Sequence, residues 1–161
     1  LFRKEIFNYI NKIKNKEIEY RKEAYNNNFP FHQCQAFVDF AVYNNDSVLS
    51  LVIKYYQYTG GAHGMIRWES YNINLKQDKI YSFNEFLNLI DLTKGEINKI
   101  IKLHISKNSN KYFSEQIGFK TVKKNQEFYI TKENLIIFFQ PYEIAPYASG
   151  ISEFKIPFSY K

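Results

Sequence analysis

Residues 58–64, Tyr-Thr-Gly-Gly-Ala-His-Gly, hold three of the chain's six glycines around a histidine, at the end of a run of strand-forming residues. Glycine permits positive φ and close backbone approach, and successive N–H groups in such a turn can cradle an anion. His63 is therefore where acid–base or anion chemistry would begin. The partners that catalysis needs are missing from the spacing. No lysine follows Gly64, so the P-loop pattern is absent, and neither GxGxxG, GxSxG nor HExxH occurs. A Cys34–His63 dyad can be drawn on paper. Yet Cys34 alternates with Ala36, Val38, Phe40 and Val42 as a core position, and no neighbour in sequence would lower its pKa. No spacing of carboxylates and histidines signals a metal. His32 follows Phe-Pro-Phe in a connection. His104 falls on the apolar stripe of a helix, which predicts a partly buried, hydrogen-bonded structural histidine. No catalytic residue, metal or cofactor is expected.

The elements that would position this loop can be read from periodicity. Phe2, Ile6, Tyr9, Ile10 and Ile13 recur at three and four, so an amphipathic helix should run to about Tyr25 before Asn-Asn-Asn-Phe-Pro stops it. Alternation from Gln35 to Tyr43 and from Val48 to Tyr58, with Leu49, Leu51, Ile53 and Tyr55 on one face, predicts a hairpin around Asn44-Asn45-Asp46. Met65 to Leu75 reads as a third strand, closed by a turn at Lys76-Gln77-Asp78-Lys79. Two capping boxes follow. Ser82-x-x-Glu85 opens a short helix with Phe83, Phe86, Leu87 and Ile90 on one side, and Thr93-x-x-Glu96 opens a longer one with Ile97, Ile100, Ile101 and Ile105 inward. Strands return at Glu127–Ile130, Leu135–Phe139 and Phe154–Phe158. Between the last two lies Pro-Tyr-Glu-Ile-Ala-Pro-Tyr-Ala-Ser-Gly, residues 141–150, a second interruption, stiffened by Pro141 and Pro146. This order predicts an α+β fold, a mainly antiparallel sheet with helices packed on one face, as a single domain over residues 1–161.

Composition limits the function classes. At 161 residues, 45% hydrophobic and 19% aromatic, the chain is too apolar for a disordered tail and large enough for one core. No apolar run approaches the roughly 20 residues of a membrane-spanning helix. The chain opens on Leu1 inside a helical pattern, so it is expected to be a piece of a longer precursor whose membrane anchor lies outside these residues. The net charge of +6 is regional: residues 94–124 carry eight lysines against Glu96 and Glu115, an excess equal to that of the whole chain. Such a segment suits anionic polymers, or is simply the solvated side of a helix. With no helix-turn-helix, zinc-finger or RNP pattern, nucleic acid is not expected as a partner.

Tyr-Thr-Gly-Gly-Ala-His-Gly followed by a strand, then Tyr-Ser-Phe-Asn-Glu-Phe-Leu-Asn-Leu, then Phe-Phe-Gln-Pro-Tyr-Glu-Ile-Ala-Pro-Tyr-Ala-Ser-Gly-Ile-Ser-Glu-Phe-Lys-Ile-Pro, resembles the extracytoplasmic domain of RsiV-type bacterial anti-sigma factors. A similar domain precedes the catalytic unit of certain peptidoglycan deacetylases and occurs in uncharacterised bacterial lipoproteins, and its function is largely unknown. The likeness covers roughly residues 35–158, with 1–34 as an N-terminal helix and connection. It implies an exported, membrane-anchored, non-catalytic binding or sensor domain, with lysozyme, which the anti-sigma members bind, or a cell-wall glycan or teichoic polymer as partner. The alternatives are an accessory domain of a peptidoglycan-modifying enzyme and a purely structural lipoprotein domain. A strongly basic lysozyme would be repelled by a basic surface. Tyr56, Tyr58, Trp68, Tyr142 and Tyr147 offer rings on which sugars stack, or that simply pack. The two interrupted segments are expected to build one surface from Tyr58, Thr59, Gly60, Gly61 and His63 with Tyr142, Pro146 and Tyr147, and Gly61→Val to disturb both.

Overall fold

Both capping boxes form as the sequence requires. Ser82 and Thr93 each accept from the backbone N–H three residues on, while Glu85 and Glu96 reach back to the cap N–H. Glu85 is held first by Lys79, then by the Ser82 N–H and hydroxyl, and its carboxyl falls to about 2. Because the folded pKa is depressed, this contribution to stability is complete above the ordinary carboxylate range and is lost as pH falls towards about 2.

The computed structural model describes residues 2–45 and 47–159. Its elements are α1 (Phe2–Asn27), β1 (Gln35–Asn44), β2 (Val48–Tyr58), β3 (Met65–Asn74), β4 (Lys79–Ile80), α2 (Phe83–Leu89), α3 (Lys94–Lys107), β5 (Phe128–Ile130), β6 (Asn134–Phe139) and β7 (Ser152–Pro157). The fold is α+β, and its strands divide into two antiparallel sheets, ordered β1-β2-β3-β4 and β5-β6-β7. The meander gains β4 because Lys79, expected to close a turn, pairs with Asn74. Asn74 builds that turn by accepting the N–H groups of Lys76 and Gln77 on its side-chain oxygen. Asp46, expected in the first hairpin turn, lies outside the described residues.

Two compact units emerge, Leu1–Asp39 with Lys54–Arg67, and Phe40–Ile53 with Trp68–Lys161. In the first, α1 buries Ile13 and Ala24. Tyr9 meets Tyr55 edge-on at 4.8 Å, and the Arg67 guanidinium covers the same Tyr55 ring at 4.8 Å. Beyond α1 the chain folds back, with Phe29 N–H on the Ala24 carbonyl and Tyr20 Oη donating to the Pro30 carbonyl.

In the second unit, one face of the β5-β6-β7 sheet (Phe128, Ile130, Leu135, Ile137, Phe139, Phe154, Ile156) packs with Phe83, Phe86 and Leu87 of α2 and Ile97 and Ile101 of α3. The other face, Tyr129, Ile136 and Phe138, packs with Val52, Tyr43 and Trp68. Side chains also close sheet edges. Gln140 accepts from Trp68 N–H at 3.0 Å and donates to its carbonyl at 2.7 Å, much as a neighbouring strand would. Glu127 takes the Ser70 N–H and hydroxyl, and the edge groups of β5 go to Ser50, Ser70 and Asn72. An open row of N–H and C=O groups would invite foreign strands; here polar side chains occupy it.

Several expectations need correction. Cys34 is buried, but Phe40 is 67% exposed and Val42 half exposed, because alternation marks a shared face without saying what covers it, and β1 is the outermost strand. In β2 the buried set begins as Val48, Ser50 and Val52, and shifts to Ile53 and Tyr55, so Leu49 and Leu51 are only partly covered. Ile100 is exposed, unlike Ile97 and Ile101. His104 is exposed too, although its ring meets Phe154 edge-on at 5.2 Å.

Candidate functional site

The glycine loop belongs to the first unit. Gly60 has φ 90°, a conformation that disfavours any side chain. A Cβ built there would lie 2.5 Å from the Tyr20 ring. That ring is itself held, by Pro30 through its hydroxyl, by Phe29 stacked at 5.8 Å and by Phe31 at 5.4 Å. Gly64 is buried against Tyr56, which a Cβ would strike. Gly61 differs from both: open space surrounds it and its φ is not positive, so a Cβ there meets nothing, and the expectation that Gly61→Val disturbs both loops finds no steric basis at this position. His63 is exposed, and its Nδ1 lies 2.8 Å from the Gly64 carbonyl, so the tautomer carrying the proton on Nδ1 donates there. Burial, chiefly, and Glu17 raise the pKa of the Cys34 thiol, the reverse of what a nucleophile needs. Tyr20 was not singled out by sequence reasoning, and no spacing links it to Gly60, forty residues away.

The tyrosine loop belongs to the second unit. Gln140 N–H donates to the Glu143 carboxylate at 2.7 Å, Glu143 N–H returns to the Gln140 carbonyl, and Tyr142 N–H donates to the Ala145 carbonyl. These bonds hold Tyr142 at φ 69°, in the left-handed region that costs a residue with a Cβ roughly 1–2 kcal/mol. Tyr142 is 51% exposed, and its ring lies beside that of Tyr147 at 5.7 Å and 30°. Pro146 is exposed and Pro141 buried. A Gly150 at φ 67° ends the loop. Trp68, by contrast, meets Phe138 edge-on as part of the packing.

The lysine-rich segment lies far from this loop in sequence but not in space. Lys123 pairs with Glu143, Ser149 Oγ donates to the Lys111 carbonyl, and Phe113 N–H donates to the Ile144 carbonyl. The near-neutral loop is thus bordered by the most basic stretch of the chain. Among the described residues, no group of three His, Cys, Asp or Glu side chains is arranged to hold a metal ion.

Comparison with known proteins divides the chain. Residues 90–159, which contain the tyrosine loop, match the family described as "Protein of unknown function (DUF3298)". Residues 1–66, which contain the glycine loop, match the family "Deacetylase PdaC". The anti-sigma-V factor RsiV of Bacillus subtilis (strain 168) is 34% identical over 73 residues, 42% of this chain and 26% of its own. A crystal structure of a DUF3298 member from Bacteroides fragilis NCTC 9343 aligns with a TM-score of 0.62 at 22% identity, over 93% of this chain and 62% of that one. A second, from Pseudomonas aeruginosa PAO1, gives 0.58 at 20% identity over 77% and 58%. At such identities the two structures establish a shared fold. The chain spans about a quarter of the curated relative's length.

Proposed function

We propose that this chain, similar to the DUF3298 family over residues 90–159, to the PdaC family over residues 1–66 and in part to RsiV, is a non-catalytic ligand-binding domain of a bacterial cell-envelope protein. It works outside the cytoplasm, anchored through a segment outside these residues, and its ligand is an anionic cell-wall polymer. The observation that carries the reading is Tyr142. A residue kept at φ 69° with its ring half in solvent contributes little to packing there, and local strain of this kind concentrates where function requires it. Beside Tyr147 it offers two rings for sugar faces. The lysine-rich strap, tied to the same loop through the Lys111 carbonyl and the Lys123–Glu143 ion pair, favours phosphate or carboxylate groups over a basic protein. The binding residues of this surface are Tyr142, Pro146 and Tyr147; in the first unit, Tyr58, Thr59, Gly60, Gly61 and His63 of the glycine loop are proposed as ligand contacts of their own.

Lysozyme is the second reading, favoured by the match to RsiV. The match to the PdaC family favours the setting of an accessory domain in a peptidoglycan-modifying protein. Co-sedimentation separates the ligands: purified sacculi carrying teichoic acid should retain the protein, acid-stripped sacculi should retain less, and immobilised lysozyme none. Retention on lysozyme alone would replace the polymer with the protein ligand. Retention on neither would leave a structural domain.

A further inference from the structure

A cavity of about 370 Å³ opens in the second unit between the last turns of α3 and the strap that follows it, at the lower end of the volume range that binds small molecules. Lys102, Ile105 and Ser106 line it from α3 at helical spacing, Ser109 from the short 3-10 helix beyond, and Phe113, Ser114, Glu115 and Phe119 from the strap. The strap is held in place by its own bonds. Gly118 N–H donates to the Ser114 carbonyl at 2.7 Å, Phe113 N–H is tied to Ile144, and Lys120 reaches the Glu115 carbonyl. A Cβ at Gly118 would lie 2.7 Å from the Phe113 carbonyl oxygen, so glycine allows the strap to fold back this tightly.

The lining combines the apolar residues Ile105, Phe113 and Phe119 with residues of opposite charge from different walls, Lys102 from the helix and Glu115 from the strap. No side-chain ion pair joins either of them to another described residue, unlike Lys79 with Glu85 or Lys123 with Glu143. The Ser106 hydroxyl donates to the Leu103 carbonyl and keeps its lone pairs, while Ser109 and Ser114 add donors and acceptors. One cation, one anion, hydroxyls and an apolar floor together complement a molecule with its own ammonium, carboxylate and apolar side chain.

We propose that this cavity is a binding site for a short peptide or amino acid with both ends free, its carboxylate on Lys102, its ammonium on Glu115 and its side chain on Ile105, Phe113 and Phe119. The site differs from the polymer surface at Tyr142 in its residues and in its ligand chemistry.

Titrating leucyl-alanine into the 15N-labelled protein tests the proposal. Saturable shifts should centre on residues 105–119. N-acetylation or C-amidation of the dipeptide should each weaken binding about tenfold, the scale of one charge-assisted contact. Lys102→Gln should then bind acid and amide alike, and Glu115→Gln should bind the free and acetylated amines alike. Both substituted side chains are exposed, and an unchanged spectrum in the rest of the protein verifies each variant's fold. No shift at saturating dipeptide, or equal affinity for free and doubly blocked forms, would overturn the site.

Discussion

Both interrupted loops take the chain through positive φ, at Gly60 with 90° and at Tyr142 with 69°, but they use opposite residues to do it. At Gly60 the residue suits the backbone, and the neighbouring Tyr20 ring fills the space a side chain would need. At Tyr142 the residue opposes the backbone, and its ring points partly into water. The first arrangement is what folding alone would produce. The second keeps a tyrosine where glycine would be less strained, and the proposed ligand contact would account for that choice.

The sharpest contrast should come from Gly60→Ala. Positive φ and the clash with an immobilised Tyr20 together should cost about 2–4 kcal/mol in chemical denaturation. A loss under about 0.5 kcal/mol would mean that the loop relaxes and the glycine is not needed there. Gly64→Ala comes next, at about 1–2 kcal/mol, because Tyr56 touches the exposed Phe37 at 5.8 Å and has more room to yield than Tyr20. Replacing Gln140 with Ala removes both bonds to the Trp68 backbone and should cost about 1–3 kcal/mol, with faster amide exchange at Trp68. If Trp68 exchange does not change, other contacts must seal that edge. Gly61→Ala, in open space, should stay within about 0.5 kcal/mol of wild type.

Local signals in the sequence were legible because they depend on a few adjacent residues. Ser82 with Glu85 and Thr93 with Glu96 named both helix starts, and the aromatic face of α2 was read from spacing. The glycine and tyrosine loops stood out as breaks in strand pattern. The contacts across long separations were hidden. Nothing in the period of β3 tells that Gln140 will occupy its edge seventy-two residues later, since a polar side chain imitating a strand leaves no repeat. Gly60 and Gly61 look alike in sequence, and only Tyr20 and the backbone angle separate them. The lysine-rich segment is separated from the tyrosine loop in sequence; the Lys111 carbonyl and the Lys123 ammonium meet it because the strap after α3 folds back towards Ile144.

Tyr142 can be tested with two substitutions measured side by side, Tyr142→Gly and Tyr142→Ala, for stability in denaturant and for retention on sacculi carrying teichoic acid. Alanine normally stabilises relative to glycine, but at φ 69° the order should reverse, with the glycine variant the more stable by about 1 kcal/mol. Both variants should lose at least about tenfold in binding, equivalent to roughly 1.4 kcal/mol. Stability in the ordinary order, or binding unchanged in both variants, would contradict the claim that this tyrosine is held under strain to meet a ligand.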